Sequence, residues 1–178
     1  MNKKYLILIS ILILFAGSNV AYGQINICED KKSNHPIDKE LLKLKDNLHV
    51  AGVDTIIVYS HWIYTNGFNG YGKIIWRTKG ENFLLQLDYN KETSKVDVSD
   101  SILLMNDSTM NFFFDNQLDT IHNNPEKNDI QMSHDGRHFI SIEWGENRYC
   151  FTISNLVVQF NPKNERVQWI KYFKKAGM

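Results

Sequence analysis

Between Asp54 and Tyr89 the chain is patterned in a way that strands joined by tight turns accommodate and a helix does not. The run Asp54-Thr-Ile-Ile-Val-Tyr-Ser-His-Trp-Ile-Tyr64 is rich in β-branched and aromatic side chains, which suit a pleated, packed surface. Its two faces, Ile56, Val58 and Trp62 against Ile57, Tyr59 and Ile63, are almost equally apolar. A strand of that composition belongs inside a sheet covered on both sides.

Two Gly-Glu-Asn triplets then set the hairpins. With Gly80-Glu81 as a two-residue turn, Ile74, Trp76 and Thr78 lie opposite Leu87, Leu85 and Phe83, while Lys73 meets Asp88 and Ile75 meets Gln86 on the reverse face. That register gives one apolar face and a cross-strand charge pair. With Gly145-Glu146 as the second turn, Ile140, Ile142 and Trp144 align with Phe151, Tyr149 and Asn147, and Glu143 pairs with Arg148 behind them. The flanking sequences do not otherwise align, so the shared triplet is an echo of design and not a repeat.

Helical spacing occurs elsewhere. Apolar residues at Ile37, Leu41, Leu44 and Leu48 follow Pro36, which suits a first turn, and Asp38 and Glu40 complement the positive end of a helix that Gly52 stops. Asp107-Ser108 can cap a second helix carrying Met110, Phe113, Phe114, Leu118 and Ile121 on one face. Asn161-Pro162 opens a third with Val167, Ile170 and Phe173. Between these, Val96 to Met105 adds a short strand, Ile130 to His134 an edge strand turning at Asp135-Gly136, and Leu156 to Phe160 a last apolar run. The expected fold class is α+β: a mostly antiparallel sheet of hairpins with about three amphipathic helices packed on it, in one domain over residues 24–178.

Residues 1–23 stand outside that domain. Asn2-Lys3-Lys4, the apolar run Tyr5 to Phe15 and the small residues around Ala21-Tyr22-Gly23 have the form of a cleaved secretory signal peptide. Export to the periplasm or the exterior is therefore expected, with no integral membrane span in the mature chain, because no later segment approaches the roughly 20 apolar residues a span needs. Cleavage removes Lys3 and Lys4, so the 20 basic residues fall to 18 against 20 acidic ones. A near-neutral chain gives no electrostatic case for nucleic acid. The two cysteines, Cys28 and Cys150, are expected to bridge in an oxidising compartment, closing a loop for which chain entropy gives about 4–5 kcal/mol at most.

No motif fixes a chemistry, no cofactor is implied, and no catalytic residue or metal site is assigned. His134, Asp135 and His138 invite a metal, yet on strands flanking Asp135-Gly136 they leave on opposite faces, with His138 beside Ile140. His61 alternates with Tyr59 and Ile63, as a neutral, hydrogen-bonded core histidine would. Trp62, Trp76 and Trp144 occupy core-facing strand positions, whereas Arg166, Lys171, Lys174 and Lys175 make the last helix basic beside Trp169 and Tyr172. What folding leaves over is Asn66-Gly-Phe-Asn-Gly-Tyr-Gly72, read as a loop that lacks the P-loop ending and holds two aromatics among small residues. Asn66, Phe68, Asn69 and Tyr71 are therefore the candidate contacts for a protein or glycan partner. The leading expectation is a small exported, non-enzymatic binding or protein-interaction module. The alternatives are a periplasmic inhibitor or immunity-type protein, and an exported hydrolase assembled from scattered groups such as His61, Asp135 and His138.

Overall fold

The computed structural model describes residues 26–28, 35–63, 69–100, 102–105, 111 and 136–175. Its elements are β1 (Asn26–Cys28), α1 (Pro36–Val50), β2 (Thr55–Ile63), β3 (Asn69–Thr78), β4 (Glu81–Asn90), β5 (Lys95–Val98), β6 (Leu103–Met105), β7 (Arg137–Trp144), β8 (Asn147–Ser154), α2 (Asn155–Phe160) and α3 (Glu165–Lys175). The sheet runs β1-β8-β7-β2-β3-β4-β5, with β6 also on β4. Every pairing is antiparallel except that of β1 with β8. The α+β architecture is the expected one.

Strand β2 lies between β7 and β3, which explains its two apolar faces. Ile56, Val58, Ile74, Trp76 and Leu87 pack with Ile37 and Leu41 of α1. On the other face Ile57, Tyr59, Ile75, Leu84, Ile140, Ile142, Tyr149 and Phe151 pack with Val167, Ile170 and Phe173 of α3. A helix thus covers each side of the sheet. Burying one such side chain contributes about 1.5–3 kcal/mol, so the two layers and not helix propensity hold α1 and α3 in place.

The second hairpin has the expected register, with Ile140 opposite Phe151, Ile142 opposite Tyr149 and Glu143 opposite Arg148. The first does not. Its turn is Lys79-Gly80, both at positive φ (51° and 80°), so Thr78 meets Glu81 and Trp76 meets Phe83. Two positive φ values fit the turn that matches the right-handed strand twist, and Gly80 serves as its second central residue. At Gly145 (φ 55°) glycine is the first. The slip is two residues, so the apolar face survives while the partners change: Lys73 faces Gln86 and not Asp88, and Ile75 faces Leu84.

Three further differences follow from context. The strand expected over Val96 to Met105 is two strands, β5 and β6, both on β4. The apolar run Leu156 to Phe160 is helical, because Ser154 caps α2 by accepting the Leu156 N–H at 3.2 Å. The segment read as a loop up to Gly72 is strand from Asn69 onward, and Gly70 and Gly72 face α1. A Cβ on Gly72 would come within 2.7 Å of Leu41 Cδ1 and 2.9 Å of Ile37 Cγ2, and one on Gly70 within 2.9 Å of His35 Cε1. These glycines let the helix lie flush on the sheet. Gly72→Val is expected to cost about 2–3 kcal/mol through overpacking of Ile37 and Leu41, read as a lower urea midpoint with unchanged slope.

The signal-peptide segment, Asn66, Phe68, His134, Asp135 and the edge strand Ile130 to His134 lie outside the described residues. Of the helix expected after Asp107-Ser108, only Asn111 is described, and it is helical. Among the described residues no helix is long and apolar enough to cross a membrane.

Candidate functional site

On the α3 face, β2, β3 and β7 bring polar side chains together at the end of the sheet where β2 leaves and β3 returns. Strand parity makes Tyr59, His61, Tyr71, Lys73 and His138 share that face, and the register sets His61 opposite both Tyr71 and His138. The Tyr59 hydroxyl lies 3.2 Å from that of Tyr71 and 3.0 Å from His138 Nδ1, while His138 Nε2 lies 3.2 Å from Asn155 Oδ1. An amide oxygen only accepts, so Nε2 carries the ring proton and Nδ1 accepts from Tyr59. Tyr59 in turn accepts from Tyr71. The hydrogen bonds therefore run in one direction, from Tyr71 through Tyr59 to His138 and from there to Asn155, the first residue of α2.

Burial keeps this chain uncharged. His138 is fully buried, and its pKa is pushed from 6.5 to about 2, first by loss of water and then by His61 and Lys174, against the pull of Asn155. Loss of water also raises the Tyr59 phenol far above its ordinary value, with the neighbouring Tyr71 adding to the effect. Tyr71 is raised by burial and by Asp88, its partner across β3–β4, while the Tyr59 hydrogen bond opposes them. Stacked rings fix the positions: His61 on His138 at 4.2 Å, Tyr59 on Phe173 at 5.7 Å, and Tyr71 tilted 60° to His61 at 5.4 Å.

Lys73 sits beside this chain but acts on the helix. Its Nζ donates to the carbonyls of Phe173 (3.3 Å) and Lys174 (3.2 Å), capping the negative end of α3. Burial holds the Lys73 amine below its ordinary value.

The candidate contacts are therefore divided. Asn69 opens β3, Tyr71 is a half-buried strand residue whose hydroxyl serves the interior chain, and Asn66 and Phe68 are not described. Of the scattered trio His61, Asp135 and His138, the two histidines stack on one another, and His138 does share a face with Ile140. His61 is half-buried, as a core-facing residue should be at the end of a strand. Trp169 is buried, and Arg166 lies over the Phe151 ring at 5.2 Å, so two members of the basic, aromatic helix belong to packing. Among the described residues no group of three or more His, Cys, Asp and Glu side chains is placed to hold a metal ion.

Sequence reasoning missed Tyr59 and Asn155. Parity alone puts Tyr59 beside His61 on one strand and His138 beside Ile140 on another. Their pairing depends on β2–β7 register across 79 residues of chain. Sequence comparison matches this chain to no protein-family model and to no curated protein at a significant level.

Proposed function

We propose that the protein is an exported, disulfide-bridged binding module that meets a protein or glycan surface at the β2–β3 end of its sheet. The observation that carries this reading is the neutral chain from Tyr71 to Asn155. Its hydroxyls and ring nitrogens are spent on one another, and its one histidine is too weak a base for proton transfer near neutrality. Such an arrangement fixes rings in place and is poorly suited to acid–base catalysis. Half-buried Tyr71 and His61 form an aromatic ledge near the end of β2 at Ile63 and the start of β3 at Asn69, and in sequence Asn66 and Phe68 fall between those two residues. Rigid aromatics bind at low entropic cost. The same argument counts against the hydrolase, although His61 and His138 are adjacent. An inhibitor or immunity-type role is one form of the binding reading.

Export is supported by Lys3-Lys4, the apolar run and Ala21-Tyr22-Gly23, and the bridge by β1–β8 register, which sets Cys28 opposite Cys150. The intact mass of the exported chain is expected to begin at Gln24 and to be two hydrogens lighter than its reduced form. For the site, isotope-labelled protein titrated with glycan fragments and co-purifying proteins is expected to shift the His61 and Tyr71 amides. Tyr71→Ala and Phe68→Ala, with circular dichroism unchanged, are each expected to weaken binding about tenfold or more, the size of a modest aromatic hot spot. Unaltered affinity in both variants would remove this end of the sheet as the site.

A further inference from the structure

His35 occupies the junction of α1 and the sheet, on the face opposite the Tyr59–His138 chain. It is 2% exposed, stacks parallel on Trp62 (centroids 5.5 Å, planes 4° apart), meets the Tyr89 ring edge at 5.6 Å and lies against the backbone of Gly70. It is also the N-cap of α1: Nδ1 accepts the Ile37 backbone N–H at 3.2 Å, a task usually given to Ser, Thr, Asp or Asn. A backbone N–H only donates, so the cap requires a free lone pair on Nδ1, which an imidazolium lacks. Protonation would also set a cation on the positive end of the helix.

Of the groups around the ring only Asp38 of α1 favours the charged form, through its charge, and its carboxylate is engaged by Ser60 Oγ and by Trp62 Nε1 at 3.0 Å. From β4 the ring meets Tyr89, and β2 and β3 present Trp62 and Gly70, which do not titrate.

We propose that His35 is an acid-released clasp: when neutral it fastens the first turn of α1 onto the β2–β3 end of the sheet, and when protonated it surrenders the cap and uncovers Trp62 and Gly70. Burial keeps the ring below its ordinary 6.5 in spite of the nearby Asp38 charge. The clasp is therefore fully closed above that value and opens as pH falls through the depressed one. This device does not depend on any ligand at the neighbouring ledge.

The test is amide hydrogen exchange on the mature chain, corrected for intrinsic rates, at about pH 7.5 and about pH 5, either side of the ordinary histidine value. Protection at Ile37 and Asp38 is expected to drop about tenfold or more on acidification and to stay well below that of Ile57, a local opening beneath the global one. His35→Asn keeps an accepting cap that does not titrate, and is expected to hold protection at both pH values. Equal protection of the native chain at both pH values, or the same acid loss in His35→Asn, would overturn the clasp. If His35→Asn does not fold, the His35 ring resonance decides. A midpoint below 6.5 that coincides with opening of the first turn supports the clasp, whereas a midpoint at or above 6.5, or titration without opening, overturns it.

Discussion

Glu143→Ala is expected to lower the unfolding free energy by about 3–5 kcal/mol, the cost of stripping one partner from a buried ion cluster. Glu143 lies on the α1 side of β7, where Oε1 is 2.7 Å from Lys45 Nζ and 3.0 Å from Arg148 Nε, and Oε2 is 2.6 Å from His49 Nε2. The Lys45 and Glu143 side chains are only 8% and 9% exposed, so water does not replace a missing partner. Burial raises the Glu143 carboxyl, but hydrogen bonds from Lys45 and His49 and the charges of Lys45 and Arg148 outweigh it and leave the group below its usual range. Its contribution is thus present at neutral pH and is lost as pH falls through the depressed value. Lys45→Met with Glu143→Leu removes both charges together and is expected to recover most of the loss. Urea unfolding at neutral pH measures both. A cost for Glu143→Ala below about 1 kcal/mol would place the cluster with solvated surface pairs.

Acid is expected to destabilise the fold from near pH 6.5 downward, with His138 the largest single histidine contributor. Its folded value, about 2, lies below the unfolded 6.5, so the folded state resists taking up a proton that the unfolded chain accepts. Stability is therefore complete above 6.5 and falls by up to about 1.4 kcal/mol per pH unit below it, or roughly 3 kcal/mol over two units. His35 acts in the same direction. His138→Gln keeps a polar partner for Tyr59 and Asn155 without a titrating ring. Although less stable at neutral pH, it is expected to show a shallower loss between pH 6.5 and 4.5. Equal slopes in the two proteins would mean that His138 is hydrated and titrates normally.

Much of the scaffold was legible because its signals are local. The two apolar faces of Ile56 to Ile63 placed β2 inside the sheet, and the turn at Gly145-Glu146 fixed β7–β8 together with the Glu143–Arg148 pair. The first hairpin was harder, since Lys79-Gly80 and Gly80-Glu81 preserve the same apolar face and differ only in partners. Composition could not choose between them, because both two-residue turns suit the right-handed strand twist. Gly70 and Gly72 looked like loop residues because sequence cannot show that Ile37 and Leu41 need the room.

The segment that first stood apart has therefore split. Tyr71 is strand, and its hydroxyl is committed to Tyr59, while Asn66 and Phe68 keep their candidacy on sequence alone. The chemistry-bearing groups Tyr59, His138, Asn155 and Lys45 were each visible, yet none announced its partner, and Glu143 announced only Arg148.

By itself the sequence determined the α+β class, the sidedness of β2 and of the two hairpins, and the limits of α1, because periodicity, capping and turn preference act over a few residues. Only the tertiary structure decided that His138 would be neutral and bonded to Tyr59, that Lys73 would cap α3 and that His35 would be sealed against Trp62. Those outcomes depend on register and burial between segments far apart in the chain, where a shift of one residue turns every side chain to the other face.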